Sequence, residues 1–452
     1  MSAKDNSSHH TGLSAGDFAS LMNRLGPYEA APHLAVGCSG GADSLALTLL
    51  LGHWVEKQGG RLTALIVDHG IREEAAAEAR EVQGWLETFG IASEILEAKL
   101  TADISSLQAS ARTARYELMG DWCRVHGVLH LFIAHHQEDQ AETLLLNLTR
   151  GSGVDGLAGM AAISERGDYR LLRPMLTVPK ARLEATLSAR NQTFIDDPSN
   201  SDRAFKRVRL RKVLPHLAEE GASANRLSKA ARRMAEARAA LETATTSLLA
   251  TGAALYPEGY GRLEIPPLLS APREVALRAL ARLIRTIGGK SHTPRGERLV
   301  ACYEALSASE RKTGPFGRTL GGCRLLKRGS VLFICREVAT SDIIEARGNN
   351  YLWDGRFSVS GPADKIASLV PLGSGTFPGF ADYKRSRIPA PFRSALPTMP
   401  GLDGTPSLPQ LKGVALSPSA MAETVLTAVF QPRRPLSEGP FSAAVEADGR
   451  GE

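Results

Sequence analysis

The chain carries few cysteines for its length, with five in 452 residues: Cys38, Cys123, Cys302, Cys323 and Cys335. No two of them form a Cys-x-x-Cys pair, and no His/Cys cluster has the spacing of a zinc site. This pattern argues against a disulfide-stapled scaffold and is typical of a protein kept in a reducing compartment.

Long apolar runs are also missing. No stretch approaches the ~20 consecutive apolar residues that a membrane-spanning helix requires. Residues 1–16 are polar and lack the apolar core of a signal peptide. We therefore expect a cytoplasmic protein without a membrane partner, with a flexible N-terminal tail at 1–16.

A strong net charge is absent as well, because 54 Lys and Arg oppose 48 Asp and Glu. The small excess of +6 is local, since residues 201–240 hold eleven Lys and Arg against four Asp and Glu. A confined basic block predicts contact with a polyanion, and nucleic acid is the first candidate.

The chain is too long for a single ordinary core. Strand patterns alternate with helix patterns, which predicts an α/β domain with a parallel sheet flanked by helices. The strand patterns lie at 34–38, 62–67, 92–96 and 129–134, and the helix patterns at 45–57, 72–89, 106–126 and 138–149.

The predicted domain order follows from these patterns. We expect the α/β domain at 17–220, a mainly helical domain at 221–340 and a region of uncertain order at 341–452. Within the last region, Tyr351 to Phe357 are expected to begin a small packed module, and the last dozen residues are expected to form a loose tail.

One glycine-rich turn joins the first strand to the first helix of the α/β domain. It reads Ser39-Gly40-Gly41-Ala42-Asp43-Ser44. Two glycines let backbone N–H groups turn towards an anion, and the helix N-terminus adds the positive end of its dipole. The turn lacks the Gly-Lys-Ser/Thr ending of a Walker A loop. It predicts a phosphate site in which Asp43 binds Mg²⁺, although helix capping alone would also suit Asp43 and Ser44.

Two further polar clusters follow strands of the same sheet. Val67, Asp68 and His69 end one strand, and His135 and His136 follow another. Because the carboxyl ends of parallel strands meet at one edge, we expect both clusters beside the glycine-rich turn. Helical spacing places His135, Asp139 and Glu142 on one face, which suits either a metal ion or a cationic amine.

Two arginine pairs complete the candidate site. Arg112 and Arg115 lie one turn apart and suit the clamping of phosphate oxygens. After the turn Asp197-Pro198-Ser199-Asn200, a helix carries Arg207, Arg209 and Arg211, of which Arg207 and Arg211 share a face. A basic helix start suits a nucleic-acid backbone, while a solvated surface is the plainer interpretation.

Together these clusters, in this order, resemble the tRNA(Ile)-lysidine synthase family. The resemblance covers about residues 30–220 and rests on the Ser39–Ser44 loop shared by PP-loop ATP pyrophosphatases. It rests further on the segment from His135 to Thr143 with Arg150-Gly151-Ser152-Gly153, on Arg173-Pro174-Met175-Leu176, and on the Asp197–Asn200 turn.

The resemblance implies an adenine nucleotide alpha hydrolase-like PP-loop fold and an ATP-dependent ligase. Such a ligase adenylates C2 of the wobble cytidine in a CAU-anticodon tRNA(Ile), and the ε-amine of L-lysine then displaces AMP. The cofactor is Mg²⁺, with ATP as a substrate, and the modified tRNA reads isoleucine rather than methionine codons.

The resemblance also implies roles for individual residues. Asp43, Arg115, His135 and Asp139 would be catalytic, and Asp139 with Glu142 would bind lysine. Arg207, Arg209 and Arg211 would bind tRNA. The nucleotide would lie against Ser39, Gly40, Gly41, Ala42, Asp43, Ser44, Val67 and His69. The group that deprotonates the lysine amine stays open, as does a metal role for Asp139 and Glu142.

Two alternatives remain at this point. A tRNA thiolation enzyme on the same scaffold would activate a base identically, but such enzymes usually use paired cysteines. A nucleotide- or RNA-binding protein without activity is the other alternative, and it would show no ATP turnover. The oligomeric state is not fixed by the sequence, with a homodimer as one option.

Overall fold

The computed structural model describes twelve stretches of the chain, namely residues 11–68, 75–97, 107–196, 206–294, 296–311, 316–338, 344–347, 350–373, 390–399, 408–411, 426–437 and 441–444. The chain forms two compact units. The first contains Met1–Ala240 and Pro440–Glu452, and the second contains Leu241–Gly439. The division therefore falls inside a long helix, Ala224–Gly252, whereas the sequence analysis placed it before this helix, at 220.

The first unit alternates strands and helices as expected. Its strands are β1 His33–Gly37, β2 Arg61–Asp68, β3 Ala92–Glu97, β4 His130–Phe132, β5 Ile163–Glu165 and β6 Arg170–Leu172. Its helices are α1 Ala15–Asn23, α2 Ala42–Lys57, α3 Ala75–Thr88, α4 Leu107–His126, α5 Gln137–Leu148, α6 Val154–Leu157, α7 Lys180–Ser188, α8 Lys206–Glu219 and the first part of α9 Ala224–Gly252.

These strands form one six-stranded sheet in the order β3-β2-β1-β4-β6-β5. All neighbours are parallel except the edge pair β5 and β6. The central strand β1 is buried on both faces, which explains its uninterrupted apolar run. The predicted fold class, a parallel sheet flanked by helices, is confirmed.

The second unit contains more sheet than the sequence indicated. Its helices are α10 Ile265–Ser270, α11 Arg273–Gly288 and α12 Gly296–Arg311. They accompany an antiparallel sheet with strands β7 Ala253–Tyr256, β8 Tyr260–Glu264, β9 Gly317–Leu320, β10 Cys323–Arg328 and β11 Val331–Arg336. These strands are short and lie beside strong helix patterns, which is why a mainly helical domain was expected at 221–340.

The segment from 344 onwards packs in a second core of this unit, to which Tyr260 and Cys335 also contribute. The described elements are strands β12 Ile344–Arg347, β13 Asn350–Trp353, β14 Phe357–Ser360, β15 Val370–Pro371, β16 Pro397–Thr398, β17 Gln410–Leu411 and β18 Thr427–Phe430, with short helices α13 Ala363–Ala367 and α14 Ala390–Arg393. Trp353 and Phe357 are fully buried there, in line with the packed module expected from Tyr351 to Phe357.

A buried ion cluster stabilises the turn between β13 and β14. Asp354 accepts hydrogen bonds from the guanidinium groups of Arg336 and Arg356, and all three side chains are at most 3% exposed. Each buried charge therefore has a partner of opposite sign, as a low-dielectric interior requires. Among the described residues, no helix is both long and apolar enough to cross a membrane.

Candidate active site

The glycine-rich turn forms a tight cradle at the carboxyl end of β1. Gly40 adopts φ +80°, and its carbonyl accepts a hydrogen bond from the Ile195 N–H at 3.0 Å. A Cβ atom at this position would lie 2.5 Å from Cγ2 of Val82. Only glycine meets both the backbone conformation and the close approach without strain.

Serine hydroxyls hold this turn in shape. The Ser39 N–H donates to Oγ of Ser44 at 3.1 Å, and the Ser44 hydroxyl donates to the Gly41 carbonyl at 3.0 Å. Helix α2 then starts directly at Ala42, with Gly41 as its N-cap. The first turn of α2 thus presents N–H groups and a positive dipole end at the sheet edge, which is where an anion binds well.

A cavity of about 450 Å³ opens beside this turn. It is lined by residues from α2, α5, α7, α8 and α9 and from the ends of two loops. The lining residues are Asp43, His136, Glu138, Asp139, Glu142, Lys180, Asp196, Arg211, Leu214, Pro215, Ala218 and Ala224. The turn residue Asp43 and the helix residues Asp139 and Glu142, singled out in the sequence, therefore share one cavity.

His136 lies at the centre of the polar wall. Its Nδ1 is 2.9 Å from a carboxylate oxygen of Glu138, and its Nε2 is 3.5 Å from oxygens of both Asp43 and Asp139. Burial alone would lower the pKa of His136, but these carboxylates outweigh it and raise the pKa to about 10. His136 is consequently a cation at neutral pH, held between three anions.

The expected position of His135 is wrong. Helix α5 begins at Gln137, so His135 lies in the extended segment before it and does not share the face of Asp139 and Glu142. Its Nδ1 instead accepts a hydrogen bond from Nε of Arg173 at 3.2 Å. Successive side chains of an extended segment point to opposite sides, and this places His136, not His135, in the cavity.

Glu142 forms the deepest ion pair of the cavity. Its side chain is 0% exposed, and Nε of Arg211 donates to it at 2.5 Å, while a second guanidinium nitrogen lies 3.8 Å from Asp139. Burial raises the pKa of the Glu142 carboxyl, and the Arg211 guanidinium offsets this only in part. Arg211, predicted to bind tRNA, thus contacts the carboxylate predicted to bind lysine.

The cavity is acidic overall and has one apolar side. Five carboxylates line it against the cations Lys180, Arg211 and His136, whereas Leu214, Pro215 and Ala218 of α8 contribute apolar surface. A cavity with this acidic and partly apolar lining suits a ligand that has both an aliphatic part and a positive charge.

The remaining predicted residues are not among the described residues that line this cavity. Val67 packs against the hydrophobic cluster on one side of the sheet, and Arg115 on α4 places its guanidinium 5.7 Å from the ring of Tyr116. Arg207 and Arg209 are on α8, where Arg207 is half-buried and Arg209 exposed. His69, the Arg112 side chain and the Asp197–Asn200 turn lie outside the described residues.

Several cavity residues had no assigned role in the sequence analysis. Glu138 accepts hydrogen bonds from His136 and from the Lys180 N–H. Burial raises the pKa of Glu138, but His136 and the backbone N–H donors together outweigh it, so the pKa is lowered. Lys180 and Asp196 lie far from α5 in sequence and carried no motif of their own. The adjacent His135-His136 pair was the one available signal, and only the helix start decides between its members.

The donor set fits Mg²⁺ bound together with phosphates. Within the described residues, no three or more His, Cys, Asp and Glu side chains are grouped as a ready metal site. Within the same residues, however, Oδ1 of Asp43 is buried without a hydrogen-bond partner. Mg²⁺ prefers one or two carboxylates plus substrate phosphates to an all-protein cage, so one orphaned oxygen beside a phosphate cradle is a suitable ligand.

A parallel sheet with a Ser-Gly-Gly turn at its carboxyl edge, and an acidic cavity beside it, defines the PP-loop class of nucleotide-binding proteins. Consistent with this, residues 15–217 match the family model described as a PP-loop domain.

Sequence similarity to known proteins identifies the family within this PP-loop class. The tRNA(Ile)-lysidine synthase of Bradyrhizobium diazoefficiens is 40% identical over 325 residues, which cover 70% of this chain and 88% of that protein. The tRNA(Ile)-lysidine synthase of Ruegeria pomeroyi is 36% identical over 82% of this chain and 87% of that protein. The chain belongs to the tRNA(Ile)-lysidine synthase family.

Among solved structures, the U34-tRNA thiolase NcsA from Methanococcus maripaludis, with its [4Fe-4S] cluster, aligns at 19% identity with a TM-score of 0.40. The alignment covers 48% of this chain and 78% of that chain.

Proposed function

We propose that the protein is an ATP-dependent ligase that joins lysine to the wobble cytidine of tRNA(Ile). Its membership of the family supports the ligase activity, tRNA(Ile) as the nucleic-acid substrate and ATP as the nucleotide substrate. The CAU anticodon and lysine as the amine are the finer parts of the proposal.

The reaction has two displacement steps. First, O2 of the cytidine attacks the α-phosphorus of ATP, so that pyrophosphate leaves and C2 carries an adenylate. The neutral ε-amine of lysine then attacks C2, the C–O bond to AMP breaks, and the amine proton passes to a base. The product is lysidine, which pairs with A instead of G, and the tRNA changes from a methionine to an isoleucine reader.

The glycine-rich turn would serve the first step. Backbone N–H groups of the turn and of the first turn of α2 would hold the phosphates, aided by the Ser39 and Ser44 hydroxyls. Asp43 would hold Mg²⁺, and the ion would supply positive charge to offset that of the departing pyrophosphate. Arg115 is kept as a candidate for the same task, although it does not line the cavity among the described residues.

One observation carries the second step: two carboxylates, Asp139 and Glu142, share the cavity with Asp43 of the phosphate turn. Carboxylates favour an ammonium group, and the apolar side of the cavity suits the four methylenes of lysine. One of these two carboxylates would also take the proton that the attacking amine must lose.

Binding of tRNA is proposed for the exposed side of α8. The side chain of Arg209 is exposed there. Arg209→Ala should weaken tRNA binding and reduce its dependence on salt by about one phosphate contact. Arg226→Ala on α9 serves as a comparison, since its guanidinium already donates to the Gly221 carbonyl at 3.0 Å.

The proposal is tested by incorporation of labelled lysine into a tRNA(Ile) transcript with a CAU anticodon. The assay contains ATP and Mg²⁺, and tRNA(Met) with the same anticodon is the control. Lysine incorporation that requires both ATP and tRNA(Ile) supports the ligase. Formation of AMP with no lysine in the product would point to another nucleophile, such as sulfur. Absence of both products from folded protein would refute an enzymatic role.

A further inference from the structure

A short segment that follows the second unit in the sequence packs on the first unit, called the catalytic unit below because it contains the candidate active site. Residues 441–444, here called the strap, were expected to belong to a loose tail, yet they are held at three points. The Phe441 ring lies 4.1 Å from the guanidinium carbon of Arg238, the Ser442 carbonyl accepts the Ala162 N–H at 2.9 Å, and Ala444 is 7% exposed in the main core.

The strap is anchored to residues on both sides of it. Arg238 lies on α9 and also contacts Asp155 of α6, with its Nε 3.5 Å from the carboxylate. Ala444 closes a small recess together with Leu21, Leu25 and Leu176. Cation–π and apolar contacts therefore flank the single backbone hydrogen bond to Ala162.

The segment that donates this hydrogen bond supports helix α5. Gln140 on α5 forms two hydrogen bonds with the backbone of Met160, at 2.9 and 2.7 Å. Gly159 is required next to it, because a Cβ there would lie 2.4 Å from the Gln140 amide oxygen. Gly159 and Met160 thus hold α5 at Gln140, which follows Asp139 directly in the sequence.

A second route from the strap to the cavity runs through Arg173. Its N–H donates to the Ala162 carbonyl at 2.8 Å, its guanidinium donates to the Ala161 carbonyl at 2.8 Å, and its Nε donates to His135. His135 immediately precedes His136, the central residue of the cavity. Ala162, the residue that the strap holds, starts this second route and lies two positions from Met160, where the first route starts.

The geometry points to the strap as a positioning element of the active site, acting through Ala162 on the carboxylates of α5. Among the described residues its contacts are with Arg238, Ala162 and the apolar core, none of which lines the cavity, so its effect is on the orientation of Asp139 and Glu142 rather than on the chemistry. This inference rests on the proposed function, in which those carboxylates hold the lysine amine.

Two truncated chains test the inference directly. A chain that ends after residue 440 lacks the strap, and a chain that ends after Ala444 keeps it. Without the strap we expect the KM for lysine to rise about 3- to 10-fold, which is the size of effect that one lost cation–π and one lost hydrogen-bond contact can produce. The KM for ATP should change less than about 2-fold. The chain that ends after Ala444 should have the same KM values as the full chain.

Point variants cover the case in which the shorter chain does not fold. Phe441→Ala should raise the KM for lysine. Phe441→Trp should keep the KM of the parent protein, because tryptophan retains an aromatic ring face for the Arg238 guanidinium. Phe89→Ala, which removes a 42% exposed phenylalanine elsewhere in the unit, is the matched control. Partial unfolding would lower the apparent kcat instead and leave both KM values unchanged.

Amide hydrogen exchange gives a readout that does not depend on activity. Loss of the strap should speed exchange at Ala162 and Met160, and leave the β1–β2 amides unchanged. If the full chain adds no lysine, the proposed function fails, while the exchange rates still decide on the strap. Unchanged exchange at Ala162, or equal rises in the KM for ATP and lysine, would overturn the inference.

Discussion

The buried ion pair between Glu142 and Arg211 allows a quantitative test of how the cavity is held together. Arg211→Met removes the guanidinium but keeps an unbranched side chain. Glu142 would then be a fully buried carboxylate without its closest cation. Glu142→Gln removes the charge from the other partner, and the double variant removes both.

The expected energies follow from the exposure of the two partners. Breaking a fully buried pair costs about 3–5 kcal/mol, whereas exposed pairs contribute about 0–1 kcal/mol. Glu142 is 0% and Arg211 43% exposed, which places this pair between the two cases. We expect Arg211→Met to lower the free energy of unfolding by about 2 kcal/mol, and the double-mutant cycle to give a coupling of about 1–2 kcal/mol.

The assay is urea unfolding of all four proteins, followed by circular dichroism. The pair Arg124 and Asp121 serves as the control, because its side chains are 44% and 63% exposed. Its coupling should stay below about 0.5 kcal/mol. A coupling for Glu142 and Arg211 no larger than the control value would refute the reasoning from burial. In the ligase assay, Glu142→Gln should raise the KM for lysine about 10- to 100-fold, since a charged hydrogen bond to the amine is lost.

Three further predictions concern the turn and its neighbours. Gly40→Ala should destabilise the protein by about 1–3 kcal/mol and raise the KM for ATP, because its Cβ meets Val82, whereas Gly84→Ala in open space should be neutral or stabilising in the same thermal unfolding assay. Asp43→Asn should lower kcat about 100- to 1,000-fold and raise the Mg²⁺ concentration needed for half-maximal activity; an unchanged Mg²⁺ requirement would contradict the metal role. The charged His136 should stabilise the fold fully below pH ~6.5, and this contribution should disappear as the pH rises through about 10. The free energy of unfolding of His136→Gln, measured across that pH range, must therefore approach that of the parent protein at high pH.

The sequence predicts the catalytic unit well because its signals are local. Buried parallel strands read as apolar runs, and the glycine-rich turn carries both its positive φ and its helix start within six residues. The second unit is less predictable. Strands β7 to β10 are four to six residues long. The pairing of β8 with β11, which holds this sheet together, spans three intervening helices.

The candidate site, too, contains some residues that the sequence predicts and others that it does not. Asp139 and Glu142 are related by helical spacing, which the sequence displays directly. The choice between His135 and His136 depends on a helix start that shifts by one or two residues, and this is the least reliable part of any sequence pattern. The pairing of Arg211 with Glu142 spans 69 positions and is produced by tertiary packing alone.

The two-part make-up of the catalytic unit also has a consequence for synthesis on the ribosome. All six strands of its sheet emerge before Ala240, but Phe441 follows only after the whole of Leu241–Gly439. At roughly 5–20 residues per second, translation of that stretch takes about 10–40 s. During this interval the nascent chain already displays the phosphate turn without Phe441 against Arg238. Prematurely terminated chains would therefore bind nucleotide while holding lysine poorly, which separates ATP binding from lysine use in incomplete products.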